Sequence, residues 1–114
     1  MNIGALYEIK KRYWFLYASR ETASTADRIA NDLNYIPKPT SSFSVGNAVH
    51  CSNYFSSMLK CNITYVSPNS IFVLLEQDGK YCNVLTANGE IGWIIHPENE
   101  DLLKGCIEEV SQFT

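Results

Sequence analysis

No stretch of this sequence comes near the roughly 18 consecutive apolar residues that a membrane-spanning helix needs. The four cysteines, Cys51, Cys61, Cys82 and Cys106, include no C-x-x-C pair. Structural zinc usually draws ligands from such closely spaced pairs, so a metal site is not expected. Histidine is scarce: His50 adjoins Cys51, and His96 stands far away. Neither a P-loop nor a Gly-x-Gly-x-x-Gly motif is present, and no cofactor is expected. Internal repeats and low-complexity tracts are missing. Charged residues make up only 18% of the chain, and its formal net charge is -3. Nucleic-acid-binding domains usually show the opposite, a basic surplus.

What is present describes one small globular domain. A chain of 114 residues can build one core and is too short for two ordinary domains. Hydrophobic residues reach 46%, and seven Tyr, five Phe and two Trp lean toward a β-rich or interface-rich domain. Charge is polarised. Residues 1–60 hold seven Lys/Arg against four Asp/Glu, and residues 61–114 hold two Lys against eight Asp/Glu. The acidic C-terminal half is either a solvated surface or a face for a partner with a basic patch. The one basic cluster, Lys10-Lys11-Arg12, precedes Tyr13 and Trp14. It reads as a turn at a strand end, or as a phosphate-holding group beside stacking aromatics. That cluster is followed by only a short aromatic run, not a secretory h-region. The reading is therefore cytoplasmic, with reduced and mostly buried thiols rather than two disulfides.

Along the chain, residues 3–9 and 12–18 read as strands, joined at Lys10-Lys11 by a turn or a bend. Ala23, Ala26, Ile29, Ala30 and Leu33 recur at helical steps, so 22–34 reads as a helix. Ser24 and Asp27 have the form of a capping box. Pro37 and Pro39 end it. Residues 43–60 predict a short strand near 47–51 and a helical turn at 53–59, with Val45, Val49, Tyr54, Phe55, Met58 and Leu59 toward the core. From Cys61 the pattern is β: strands at 61–66, 71–75, 81–86, 91–95 and 106–110. The turns between them fall at Ser67-Pro68-Asn69, Asp78-Gly79 and Asn88-Gly89, and a short turn is placed at 98–103. The two Asx-Gly pairs favour tight hairpins because glycine accepts positive φ. Gly92, inside a strand, marks a bulge or a close backbone approach. The expected core is Leu6, Trp14, Leu16, Ile63, Tyr65, Ile71, Val73, Leu75, Val84, Leu85, Trp93 and Ile95, with Ile29 and Leu33 packed outside. Short strands and tight hairpins in so small a chain predict a mainly β fold, a small barrel whose closure removes exposed edges.

The run Ile71-Phe72-Val73-Leu74-Leu75, then Asp78-Gly79-Lys80-Tyr81-Cys82-Asn83-Val84, then Asn88-Gly89-Glu90-Ile91-Gly92-Trp93-Ile94 resembles the later strands of an SH3-like barrel. The likeness is to the bacterial SH3 type and covers residues 67–95. Ala5-Leu6-Tyr7 looks like its first strand. The resemblance implies a single SH3-like domain over 1–114. Residues 19–60 form a helix-containing insertion where such a domain has a longer loop. A wall-targeting role, which in such modules goes with a catalytic domain and an export signal, is not expected.

Nucleophilic catalysis needs a nucleophile, a base and an orienting group. His50 and Cys51 as strand neighbours point to opposite faces. The carboxylates Glu98, Glu100, Asp101, Glu108 and Glu109 lie in an acidic, solvated stretch. The chain is therefore read as not an enzyme but a non-catalytic protein–protein interaction module. It would serve as an accessory subunit or a small, phage-type inhibitor or regulator of a larger protein. Tyr7, Tyr13, Trp14, Tyr17, Tyr81 and Trp93 are its candidate binding residues, since interface hot spots are rich in Tyr and Trp. Trp93 either fills the core or lines a groove with Tyr7, Tyr13 or Tyr81. The alternative is a nucleic-acid-binding barrel using Lys10, Lys11, Arg12, Arg20, Arg28 and aromatics. A third reading is an enzyme using Cys51 or Cys82.

Overall fold

The computed structural model describes residues 1–32, 40–97 and 103–110. Leu33, Pro37, Pro39 and most of the turn placed at 98–103, with Glu98, Glu100 and Asp101, lie outside them. The described chain is mainly β, with eight strands and two helices. Strand β1 (Leu6–Ile9) is followed by β2 (Tyr13–Leu16), helix α1 (Arg20–Asp32), β3 (Ser41–Ser42), helix α2 (Val45–Leu59) and β4 (Thr64–Val66). Then come β5 (Ile71–Asp78), β6 (Tyr81–Thr86), β7 (Ile91–Ile95) and β8 (Ile107–Glu109). One antiparallel sheet has the order β7-β6-β5-β1-β8 and the other β3-β2-β4. Everything from β2 to β4 is thus inserted between two neighbours of the larger sheet. No closed barrel forms among the described residues. The sheets meet at one isolated bridge, Tyr17 with Trp93.

Local chemistry fixes the turns. Asp78 pairs with Tyr81 across Gly79-Lys80, and Gly79 has φ +59. Only that first central residue is positive, so the hairpin departs from the type I′ form, in which both are. The second hairpin is a three-residue loop rather than a repeat of the first. Gly89 N–H donates to the Thr86 carbonyl (3.0 Å), and Gly89 has φ +85, the arrangement of a turn followed by a left-handed glycine. Asn69, after Pro68, has φ +71, as the third residue of a Pro-led turn requires.

The helices differ from expectation in detail. Helix α1 begins two residues early because Ser19 caps it: Thr22 N–H donates to Ser19 Oγ at 3.1 Å. Asp27 is not a cap. It is 7% exposed and 2.5 Å from Lys80 Nζ. Residues 45–59 form one continuous helix, not a strand and a turn. Ser44 caps it through Asn47 N–H (3.1 Å), and this outweighs the turn signal of Gly46-Asn47. Its buried positions are Ala48, Cys51, Ser52 and Phe55. Val45, Val49 and Met58, expected inside, are exposed.

Strand β2 separates two cores. Trp14 and Leu16 join Tyr7, Ile9, Phe72, Leu74, Val84 and Ile94 in the first. Phe15 and Tyr17 point the other way, into the second, with α1's alanines and Phe55 of α2. Each of these four side chains, almost wholly shielded, contributes about 2 kcal/mol by area burial. Helix α1 is held more lightly. Its buried side chains are Ala23, Ala26, Ala30 and Asp27, and a buried methyl is worth only about 0.8 kcal/mol.

The expected core is out of phase in two strands. Tyr7 in β1 and Phe72 and Leu74 in β5 are buried, whereas Leu6, Ile71 and Leu75 are exposed. The two strands are paired, Leu6 with Val73 and Tyr7 with Phe72, so one phase governs both. Leu75 is the extra residue of a bulge between Leu74 and Glu76. Trp14, Leu16, Ile63, Val84 and Ile95 are buried as expected. Tyr65, Val73, Leu85 and Trp93 are half-buried.

Candidate functional site

The six aromatics singled out in the sequence do not assemble into one surface. Tyr7, Trp14 and Tyr17 are buried, so they pack the cores and present no anchor to a partner. Tyr7 stacks on Phe72 with centroids 5.7 Å apart, and its hydroxyl lies 3.4 Å from Glu109 Oε1. Trp14 Nε1 donates to the Lys11 carbonyl at 3.2 Å, which satisfies its one polar group. Burial raises the Tyr17 phenol well above its ordinary value, and Cys51 and Asp27 nearby add to this. Tyr13, Tyr81 and Trp93 are half-buried. Tyr13 meets Tyr65 edge-on. Tyr81 donates to Asp27 Oδ2 at 3.4 Å, beneath the Arg20 guanidinium. Arg20 also pairs with Asp78. Helix α1 thus lies against the Tyr81 end of β6 and β7, fastened by two ion pairs.

Beyond α1, no described helix or strand packs on the same outer face of the sheet. Leu6 on β1 pairs with Val73 on β5, Val73 with Leu85 on β6, and Leu85 with Ile91 on β7. Directly paired residues share a face. Phe72, Leu74 and Val84, their inward neighbours, fill the core. The four residues therefore form one apolar row across four strands, with Leu6 38% and Ile91 63% exposed. Beside it a second row runs from Glu108 through Glu8 to Ile71, which is 41% exposed. Tyr65, Asn69, Ile71, Asn88 and Glu90 line a shallow depression at its end. Sequence reasoning assigned Leu6, Ile71, Val73 and Leu85 to the core and so passed over this surface. The clue was available in β5: five consecutive apolar residues cannot all point inward from a strand.

Two other features stand apart. The exposed side of α2 carries Val45, Val49 and Met58, and residues 41–59 contain no Asp, Glu, Lys or Arg. Next to it the Arg12 guanidinium sits 3.7 Å above the ring of Phe43, which is 71% exposed. Arg12 itself has φ +70, a conformation that costs a non-glycine residue about 1 kcal/mol or more. Of the basic cluster, Lys10 is engaged with Glu8 at 3.0 Å, which raises its pKa.

The four cysteines form no disulfide, and Cys51, Cys82 and Cys106 are buried. Burial raises the Cys51 thiol above its ordinary value, which keeps it protonated and a poor nucleophile. On the helix His50 points outward while Cys51 points inward. Among the described residues no three His, Cys, Asp or Glu side chains gather as a metal site, and no helix is long and apolar enough to cross a membrane. Comparisons with protein-family models, curated proteins and solved structures find no match to this chain.

Proposed function

We propose that this protein is a non-catalytic protein–protein interaction module built on an SH3-like sheet. The observation that carries the reading is the apolar row Leu6, Val73, Leu85 and Ile91, half-buried at its middle, exposed at both ends and covered by no described helix or strand. Large contiguous apolar surfaces on soluble proteins mark sites of interaction. The SH3-like assignment draws support from β1 pairing with β5. That contact puts the two stretches that carry the resemblance, at Ala5–Tyr7 and at 71–95, in one sheet. The module acts as an accessory subunit or small regulator of a larger protein. Its mostly buried cysteines, joined by no disulfide, suit the reducing cytoplasm.

The reading is tested with a photo-crosslinking residue at position 91, and at position 45 on α2 as a control, in the cells that make the protein. One discrete partner captured from position 91 and lost in Leu6→Asp supports it. No product specific to position 91 removes it.

A second reading, nucleic-acid binding, is favoured by the Arg12–Phe43 stack alone, since aromatic–cation surfaces hold single strands. It requires oligonucleotide binding that falls steeply with salt and is lost in Phe43→Ala.

A further inference from the structure

Three departures from ordinary packing meet at Arg12. Its backbone has φ +70, where a non-glycine residue is strained, and such strain gathers at functional sites. Its Nε–H is shielded from solvent with no acceptor among the described residues, a defect that native folds rarely keep. Its guanidinium makes no ion pair among the described residues. Its contacts are a long bond from Nη1 to Ser41 Oγ (3.4 Å) and the ring of Phe43, whose centroid is 3.7 Å away. Phe43 covers one face of the guanidinium and leaves the Nη edge, which can take a carboxylate with two parallel hydrogen bonds. The surrounding elements supply none. No Asp or Glu occurs at 9–20 or 33–75, so β2, β3, α2 and β4 carry no carboxylate.

The kind of anion follows from what lies beyond Phe43. Helix α2 begins two residues on, with Val45 and Val49 exposed and one turn apart, and it holds no Lys or Arg. Binding a polyanion such as nucleic acid takes a series of cations along the phosphates. A single carboxylate set among apolar side chains suits this surface better. We propose that Arg12, Phe43 and the start of α2 bind a segment of a protein partner that carries Asp or Glu beside an apolar side chain. The carboxylate sits on the Arg12 Nη edge, and the apolar group on Phe43 and Val45. The inference rests on the chain being a protein-binding module, but not on the sheet row.

The probes are a labelled serine peptide with one Leu-Glu-Leu unit, its twin with glutamine for glutamate, and an oligothymidylate of equal length. Binding to the full chain is read by anisotropy. The glutamate peptide is expected to bind about tenfold more tightly than its twin. Arg12→Gly should remove that preference and leave the fold at least as stable to urea, because glycine takes positive φ without strain. Phe43→Ala should weaken binding of the glutamate peptide, and Ile91→Ser should not. Equal binding of the two peptides overturns the proposal. So does a less stable Arg12→Gly protein, which would make Arg12 a structural residue. Tighter binding of the oligothymidylate overturns it in favour of nucleic acid. In cells, a product crosslinked from position 45 and lost in Arg12→Gly supports this site, whatever position 91 captures.

Discussion

Tyr17 and Trp93 exchange two backbone hydrogen bonds, Tyr17 N–H to the Trp93 carbonyl at 2.8 Å and Trp93 N–H to the Tyr17 carbonyl at 2.7 Å. That pair joins the two sheets just past the end of β2, and Gly92 makes it possible. A methyl group on Gly92 would lie 2.6 Å from Leu16 Cγ and 2.9 Å from the Tyr17 carbonyl oxygen. The glycine therefore serves close approach and not a bulge, since the β6–β7 register runs through it unbroken. Gly92→Ala is expected to cost about 2 kcal/mol by overpacking, read by urea denaturation. A loss within error would show the junction to be compliant.

Alkaline pH should weaken the fold. The Tyr17 phenol ionises at a higher pH when folded than when unfolded, because burial disfavours its charged form. The unfolded chain then releases the proton first, and stability declines as pH rises through the ordinary tyrosine value near 10. Below that value the contribution is fully present. Cys51, shifted the same way, begins the decline nearer its ordinary value of about 8.5. Stability measured against pH should fall less steeply above pH 10 in Tyr17→Phe. An unchanged slope would exclude Tyr17 as the source.

Charge contributes to the fastening of α1 beside its three buried alanines. Asp27→Ala removes the partner of Lys80 and the acceptor of Tyr81, and should lower stability by about 1–2 kcal/mol. Hydrogen exchange should quicken across α1 and stay unchanged in β5 and β6. Equal acceleration in helix and sheet would mean that α1 opens only with the whole molecule.

Thiol accessibility gives a check on the cores. Cys61 is half-buried, and the other three cysteines are buried. Under native conditions a single fast alkylation is expected, at Cys61, with the rest following only on unfolding. Fast modification of Cys82, which lies between β5 and β7 in the larger sheet, would contradict the first core.

The hairpins were legible because Asp78-Gly79 and Asn88-Gly89 make local demands that few other residues meet. Helix α1 was legible from alanine spacing. Helix α2 was not, because Val45, Val49 and Met58 are its largest visible signals and they face solvent. Its true inner stripe of Ala48, Cys51, Ser52 and Phe55 has three small residues, one of them polar. The surface row was hidden for a related reason. In Ile71–Leu75 every residue is apolar, so alternation carries no phase, and the choice between Phe72 and Val73 as the inner residue falls to tertiary packing. Leu6 and Tyr7 followed the same inversion through their pairing with β5.

Strand β2 behaves as a party wall whose two sides are furnished differently. Slipping it by a single position would send Trp14 and Leu16 into the helical compartment and Phe15 and Tyr17 into the sheet compartment at once. Neither room has space for the other's contents. A one-residue deletion between Arg12 and Ser19 should therefore be among the least forgivable lesions in this chain, worse than losing any one of the four side chains.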